Sequence, residues 1–216
     1  KLQPEQIASI VTGMANACQE AGCALLGGET AEMPGVYASG EVDVVGTIVG
    51  VVDYDDILDG SRIRAADKII ALPSSGLHTN GFSLARRILQ QEDWHAFHPQ
   101  LGQSIGGDLL AVHRCYLPEI SALRPKVDIR GLAHITGGGV IDNLPRILPE
   151  GLGASIDLSA WEIPPIFAMI QHLGDVQERE MFRVFNMGLG MLVVIPAVDV
   201  ELALETVADA FLVGEI

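Results

Sequence analysis

Basic residues are scarce in this chain: 13 Lys and Arg stand against 28 Asp and Glu, a net charge of −15. That balance argues against a nucleic-acid surface, because phosphate backbones demand clustered cations. Small phosphorylated ligands stay open, since backbone amides, a few cations or Mg²⁺ are enough to hold them. Cysteine is equally sparse. Cys18, Cys23 and Cys115 show no metal-ligand spacing, and any disulfide leaves one of them over. Reduced, mostly buried thiols of a cytosolic protein are the simplest reading. Long apolar runs are absent too, each being broken by Gly, Pro or charge short of the roughly 18 residues of a membrane span. No positively charged leader precedes an apolar stretch. These lacks point to a cytoplasmic protein with neither nucleic acid nor membrane as partner. Repeats and low-complexity segments are also missing, and the opening at Lys1 rather than Met suggests an amino terminus further upstream.

What is present is enough for a sizeable core: 216 residues, 49% hydrophobic, with a mean hydropathy of +0.33. Pro4 to Ala21 reads as an amphipathic helix, with Ile7, Ile10, Val11, Met14 and Cys18 at helical spacing and Gly22 as its stop. Residues 23–26 read as a short buried strand and 42–52 as a long β-branched one. A polar hinge around Asp53–Ser61 suggests a boundary, giving domains 1–56 and 57–216. The second part alternates strands and helices, with strands over 68–72, 131–135, 154–158, 189–195 and 211–213. Helices are expected over 82–91, 109–123, a segment ending at 148, 165–173 and 200–210. That alternation predicts an α/β (α+β layered) domain. The first fifty residues do not by themselves make a self-sufficient core, as if part of a domain were missing.

Four segments concentrate residues that ordinary loops do not need together. The densest is Gly27-Gly28-Glu29-Thr30-Ala31-Glu32-Met33-Pro34-Gly35, followed by Tyr37. Paired glycines admit close backbone approach, and Glu29 and Glu32 offer a general base or Mg²⁺ ligands around Thr30. If they are only loop caps, both tolerate replacement. Ser74-Ser75-Gly76-Leu77-His78-Thr79-Asn80-Gly81 runs from a strand end into a helix, placing His78 where a proton could be exchanged near neutral pH. The competing reading is a polar turn whose Ser and Asn satisfy backbone groups. His134-Ile135-Thr136-Gly137-Gly138-Gly139 leads into a segment with Asn143 and Arg146. It is neither a Walker A loop nor a dinucleotide fingerprint. It reads as a phosphate cradle or a tight turn. The fourth, Glu180 to Met191, offers Arg183 and Asn186 among core hydrophobes.

Together these segments closely resemble the phosphoribosylformylglycinamidine cyclo-ligase family, also called aminoimidazole ribonucleotide synthetases. The matching stretches are 27–35 with Tyr37, 74–84, His134–Gly139 with Asn143-Leu144-Pro145-Arg146, and Phe185–Met191. They stand in the family's order and at about its spacing. The resemblance implies a PurM-like two-domain architecture: the end of the N-terminal, ATP-binding, dimer-barrel domain in 1–56, and most of the C-terminal domain in 57–216. It implies a homodimer and a reaction in which formylglycinamidine ribonucleotide and ATP, with Mg²⁺, give aminoimidazole ribonucleotide, ADP and phosphate. On the same resemblance His78 and His134 handle protons or polarise the formamide. Glu29, Thr30 and Glu32 support substrate or Mg²⁺, and Gly137, Gly138, Gly139 and Arg146 hold phosphate. Ser75, Gly76, Asn80, Thr136, Asn143 and Asn186 line the site. The family's upstream glycine-rich segment and its Asp-Gly-Val-Gly-Thr-Lys motif do not occur in these 216 residues. The expectation is a fragment that cannot turn over ATP alone. Rival readings are a selenophosphate synthetase, a thiamine-monophosphate kinase or a hydrogenase-maturation protein of the same superfamily, and a non-catalytic ligand-binding module.

Overall fold

The computed structural model describes residues 3–38 and 40–216. The chain divides into two compact units, Lys1–Asp56 and Ile57–Ile216.

In the first unit, α1 (Pro4–Glu20) starts with Pro4, which has no amide hydrogen to leave unpaired, and with Gln3 N donating to Gln6 Oε1 at 3.2 Å. Ile7, Ile10, Met14 and Cys18 form its half-buried stripe, and the chain leaves the helix at Gly22, φ 66°. Further on, Val36 N donates to Met33 O at 3.1 Å across Pro34-Gly35. Gly35 at φ 82° supplies the left-handed residue that such a turn requires. The strands expected over 23–26 and 42–52 carry no ladder. Val45, Ile48, Val49 and Val51 are 81% to 100% exposed. A strand is only as stable as its pairing and its covered face, and neither segment finds a partner among the described residues. The same openness corrects the expectation of buried thiols: Cys23 is exposed, Cys18 and Cys115 are half-buried, and all three are free.

The second unit runs β1 (Lys68–Pro73), α2 (Phe82–Ile88), β2 (Phe97–His98), β3 (Gln103–Ser104), α3 (Ile105–Leu109), α4 (Leu117–Leu123) and β4 (Gly131–His134). It continues through α5 (Gly139–Asn143), β5 (Ser155–Ile156), α6 (Pro165–Gly174), α7 (Glu178–Val184), β6 (Leu189–Ile195), α8 (Val200–Thr206) and β7 (Phe211–Glu215). Five strands form a sheet in the order β4-β6-β1-β7-β5, and every neighbouring pair is antiparallel. The layered α+β reading therefore holds.

Both faces of the sheet are covered, which is why its central strands read as unbroken apolar runs. Ile69 and Ala71 of β1 and Leu192 and Val194 of β6 pack on one face with Leu144 and Val213. Their alternates Ile70, Leu72, Val193 and Ile195 pack on the other with Leu123 of α4 and Ala203 of α8. A third cluster, built on Phe167, Ile170, Met181 and Phe185, joins α2, α3, α6 and α7. The helix expected over 109–123 is confined to α4, and α3 before it lies in what the sequence suggests is a loop. Pro118 sits in the first turn of α4, and residues 110–116 leave the helical path. α7 is a further helix not expected from the sequence.

Candidate functional site

β1 and β4 both pair antiparallel with β6, so Pro73 lies opposite Leu189 and His134 opposite Met191. The exits of β1 and β4 and the entry to β6 thus share one end of the sheet. Three of the segments singled out in the sequence meet there: 74–81, 134–139 and 185–191.

Asn186, 4% exposed, ties two of them together. Its Nδ2 donates to Gly76 O at 2.8 Å, and its Oδ1 accepts from Ser74 Oγ at 3.0 Å and from Gly188 N at 2.9 Å. Asn143, 5% exposed, does the same for the glycine loop. Its Nδ2 donates to Gly139 O at 2.7 Å and to Gly137 O at 3.2 Å, while Thr136 Oγ1 donates to its Oδ1 at 3.2 Å. Gly139 stands at φ 59°, where a Cβ would come within 1.8 Å of Phe182 O, so no other residue fits. Asn80 Oδ1 lies 3.0 Å from where a Cβ of Gly137 would be, which brings the first loop against the glycine run. Ser75 and Thr79 are exposed, Gly76 is buried and Thr136 is half-buried; Arg146 is exposed in the single 3-10 turn after α5.

His78 occupies the left-handed region at φ 60° and is 8% exposed. Ser75 N donates to its Nε2 at 3.0 Å; Ser75 Oγ, 3.1 Å from the same nitrogen, donates to Val112 O at 2.7 Å. The ring of His113 stacks on it, with centroids 3.9 Å apart. His113 Nδ1 lies 2.8 Å from Arg114 O and therefore carries the proton it donates there. Its Nε2 is left as an acceptor, 3.2 Å from Nε2 of His134, which is exposed at the end of β4. Tyr116 packs beside all three rings at 6.1 to 6.3 Å and donates from its hydroxyl to Pro73 O at 3.0 Å. Gly190 makes that packing possible, because a Cβ there would lie 1.6 Å from the Tyr116 hydroxyl. Behind the tyrosine, Arg114 pairs with Glu119 and Asp209, with its guanidinium 5.4 Å from the ring centroid.

The electrostatics of this cluster favour neutral imidazoles at His78 and His134. Burial, reinforced by His113, His134 and Arg114, lowers the pKa of His78 to about 4. Burial and His113 lower that of His134 as well. Burial raises the Tyr116 hydroxyl, which stays protonated as a donor. At neutral pH His78 and His134 are therefore neutral, with His134 Nε2–H donating to His113 Nε2 and the Nε2 lone pair of His78 accepting from Ser75 N.

His78 and His134 were both legible in the sequence, and the fold brings them within reach of one third ring. That ring, His113, was missed. Val112-His113-Arg114-Cys115-Tyr116 has no glycine run and fell inside an expected helix. Pro118 was the available signal, since a proline in a helix's first turn places the preceding residues outside it. Glu29, Thr30 and Glu32 belong to the first unit, where all three are exposed.

Residues 64–216 match the AIR synthase related protein family through its C-terminal domain, and residues 1–52 match its N-terminal domain. A phosphoribosylformylglycinamidine cyclo-ligase of Desulfitobacterium hafniense is 49% identical across 93% of this chain and 59% of its own length. One from Carboxydothermus hydrogenoformans is 49% identical across 100% of the chain and 65% of its own length. The chain thus spans about three-fifths of these relatives. Among solved structures, the hydrogenase maturation protein HypE of E. coli aligns with a TM-score of 0.59 at 22% identity, over 99% of this chain and 62% of that one. That likeness is one of fold.

Proposed function

Because the chain belongs to the AIR synthase related protein family, we propose that its whole protein is a phosphoribosylformylglycinamidine cyclo-ligase of purine biosynthesis. The observation that carries this reading is the 49% identity to proteins bearing that name. The convergence of residues 74–81, 134–139 and 185–191 at one end of the sheet supports it. In this reading the formamide oxygen of formylglycinamidine ribonucleotide takes the γ-phosphoryl group of ATP, releasing ADP. The amidine nitrogen then attacks the activated carbon, phosphate leaves, and the five-membered ring closes.

The residues of the chain divide the work by their chemistry. Ring closure requires the attacking nitrogen to lose a proton, and His78 and His134, held neutral, are suited to accept it as general bases. Gly137, Gly138 and Gly139 offer backbone amides to a phosphate, with Arg146 as the nearby cation in sequence. Ser75, Gly76, Asn80 and Thr136 line the approach, while Asn143 and Asn186 act by fixing the loops. Glu29 and Glu32 carry the hard oxygen donors that suit Mg²⁺, which would offset negative charge on the transferring phosphoryl group. The protein would act as a homodimer in the cytoplasm. Residues 1–216 alone would not turn over ATP, since phosphoryl transfer draws on the upstream family segments as well.

The test is an assay of formylglycinamidine-ribonucleotide-dependent ADP release and aminoimidazole ribonucleotide formation, run on the polypeptide at its relatives' full length. One-to-one coupling is expected, with His78→Asn and His134→Asn each lowering kcat by roughly 10²-fold or more. Release of ADP with a different acceptor would replace this reading by one of the superfamily rivals. Near wild-type turnover in both histidine variants would remove the proton assignment.

A further inference from the structure

The three imidazoles do more than share a neighbourhood. One nitrogen from each of His78, His113 and His134 lies within 4.8 Å of the other two. Two nitrogens bound at 2.0–2.1 Å to one tetrahedral ion stand about 3.3 Å apart, and the His113–His134 pair already stands at 3.2 Å. His113 meets a second requirement of a metal ligand. Its Nδ1–H is held by a backbone carbonyl, fixing the ring and leaving Nε2 as a lone pair. His78 supplies a third observation: its Nδ1 is buried and has no hydrogen-bond partner among the described residues, in a side chain 8% exposed. With Nε2 accepting from Ser75 N, that Nδ1 carries the ring proton without an acceptor, which is costly at that depth. Coordination through Nδ1 exchanges this for the tautomer whose Nε2–H donates to Ser75 Oγ.

We propose that His78, His113 and His134 form a binding site for one borderline divalent transition-metal ion of the Zn²⁺ class, with its fourth position open. A donor set of three imidazoles and no carboxylate selects Zn²⁺, Co²⁺, Ni²⁺ or Cu²⁺ over the hard Mg²⁺ that phosphoryl transfer uses. Drawing the widest nitrogen separation in to the tetrahedral value takes a closure of about 1.5 Å. The exposed ring of His134, at the mouth of the cluster, leaves room for that movement. An ion seated here would occupy nitrogens of the two residues assigned to proton transfer. The metal site itself rests on the geometry of the rings and not on the cyclo-ligase reading.

The experiment is a titration of the metal-free 216-residue chain with Co²⁺, followed by the visible bands of tetrahedral cobalt and repeated with Zn²⁺ as competitor. One equivalent should bind with tetrahedral bands that Zn²⁺ abolishes. His113→Ala and His134→Ala should each weaken binding by roughly 100-fold, at or beyond the upper end of what loss of a supporting residue costs. The variant His172→Ala, on the exposed face of α6, should bind as the parent does. Circular dichroism establishes that the variants are folded, and the exposed His134 gives a readout even where His113→Ala is not. Absence of a one-equivalent site in the parent chain overturns the proposal. So does binding that survives loss of His134. Because no substrate is present, neither result bears on turnover.

Discussion

At the scale of single residues, His78 is a group whose chemistry its surroundings change strongly. Its pKa falls from an ordinary value near 6.5 to about 4, chiefly because the ring is buried and secondarily because His113, His134 and Arg114 stand near it. The unfolded chain therefore binds a proton at His78 over a range where the folded chain does not. The resulting stability is fully present above about pH 6.5 and is lost as the pH falls toward 4. Two and a half pKa units correspond to roughly 3 kcal/mol at most. His134 shifts in the same direction and adds to the effect. Urea unfolding measured between pH 7.5 and 4 should show this decline, and His78→Asn should flatten it. A variant as acid-sensitive as the parent would mean that other groups carry the transition.

Between elements, the decisive connections are side-chain amides rather than strand ladders. The amide of Asn186 bridges the loop after β1 to the turn before β6 through Gly76, Ser74 and Gly188. Asn186→Ala leaves the carbonyl of Gly76 and the amide of Gly188 buried without those partners, at an expected cost of about 2–4 kcal/mol. A loss under about 0.5 kcal/mol in urea unfolding would show that water or a rearranged loop takes over. Such staples are hard to read in advance, because an asparagine near glycines suits a ligand contact as well as a loop clasp. The elements themselves were more legible. β1 and β6 announced themselves as apolar runs because both of their sides are buried, and α6 by its proline start. α7 was hidden, since Glu180-Met181-Phe182-Arg183 precedes a glycine pair and read as the approach to a strand. The segments at 23–26 and 42–52 show the opposite error. Their β-branched composition is real, but composition fixes a strand only where another backbone pairs with it.

Over the whole molecule, the burial is lopsided in a way that sequence patterning did not reveal. Every buried hydrophobic residue among the described residues lies between Ile63 and Val213, and α1 buries none of its own. The candidate cluster of His78, His113 and His134 is likewise held wholly by the second unit, through β1, β4 and the connection between α3 and α4. Since stability scales with apolar surface removed from water, residues 57–216 should carry nearly all of the chain's resistance to unfolding. A polypeptide of residues 57–216 is expected to unfold cooperatively in urea with a midpoint close to that of the 216-residue chain. Its m-value should be somewhat smaller, because less surface is exposed on unfolding. It should also retain the one-equivalent cobalt site. If that polypeptide failed to show a cooperative transition, residues 57–216 would not be an independently folding unit.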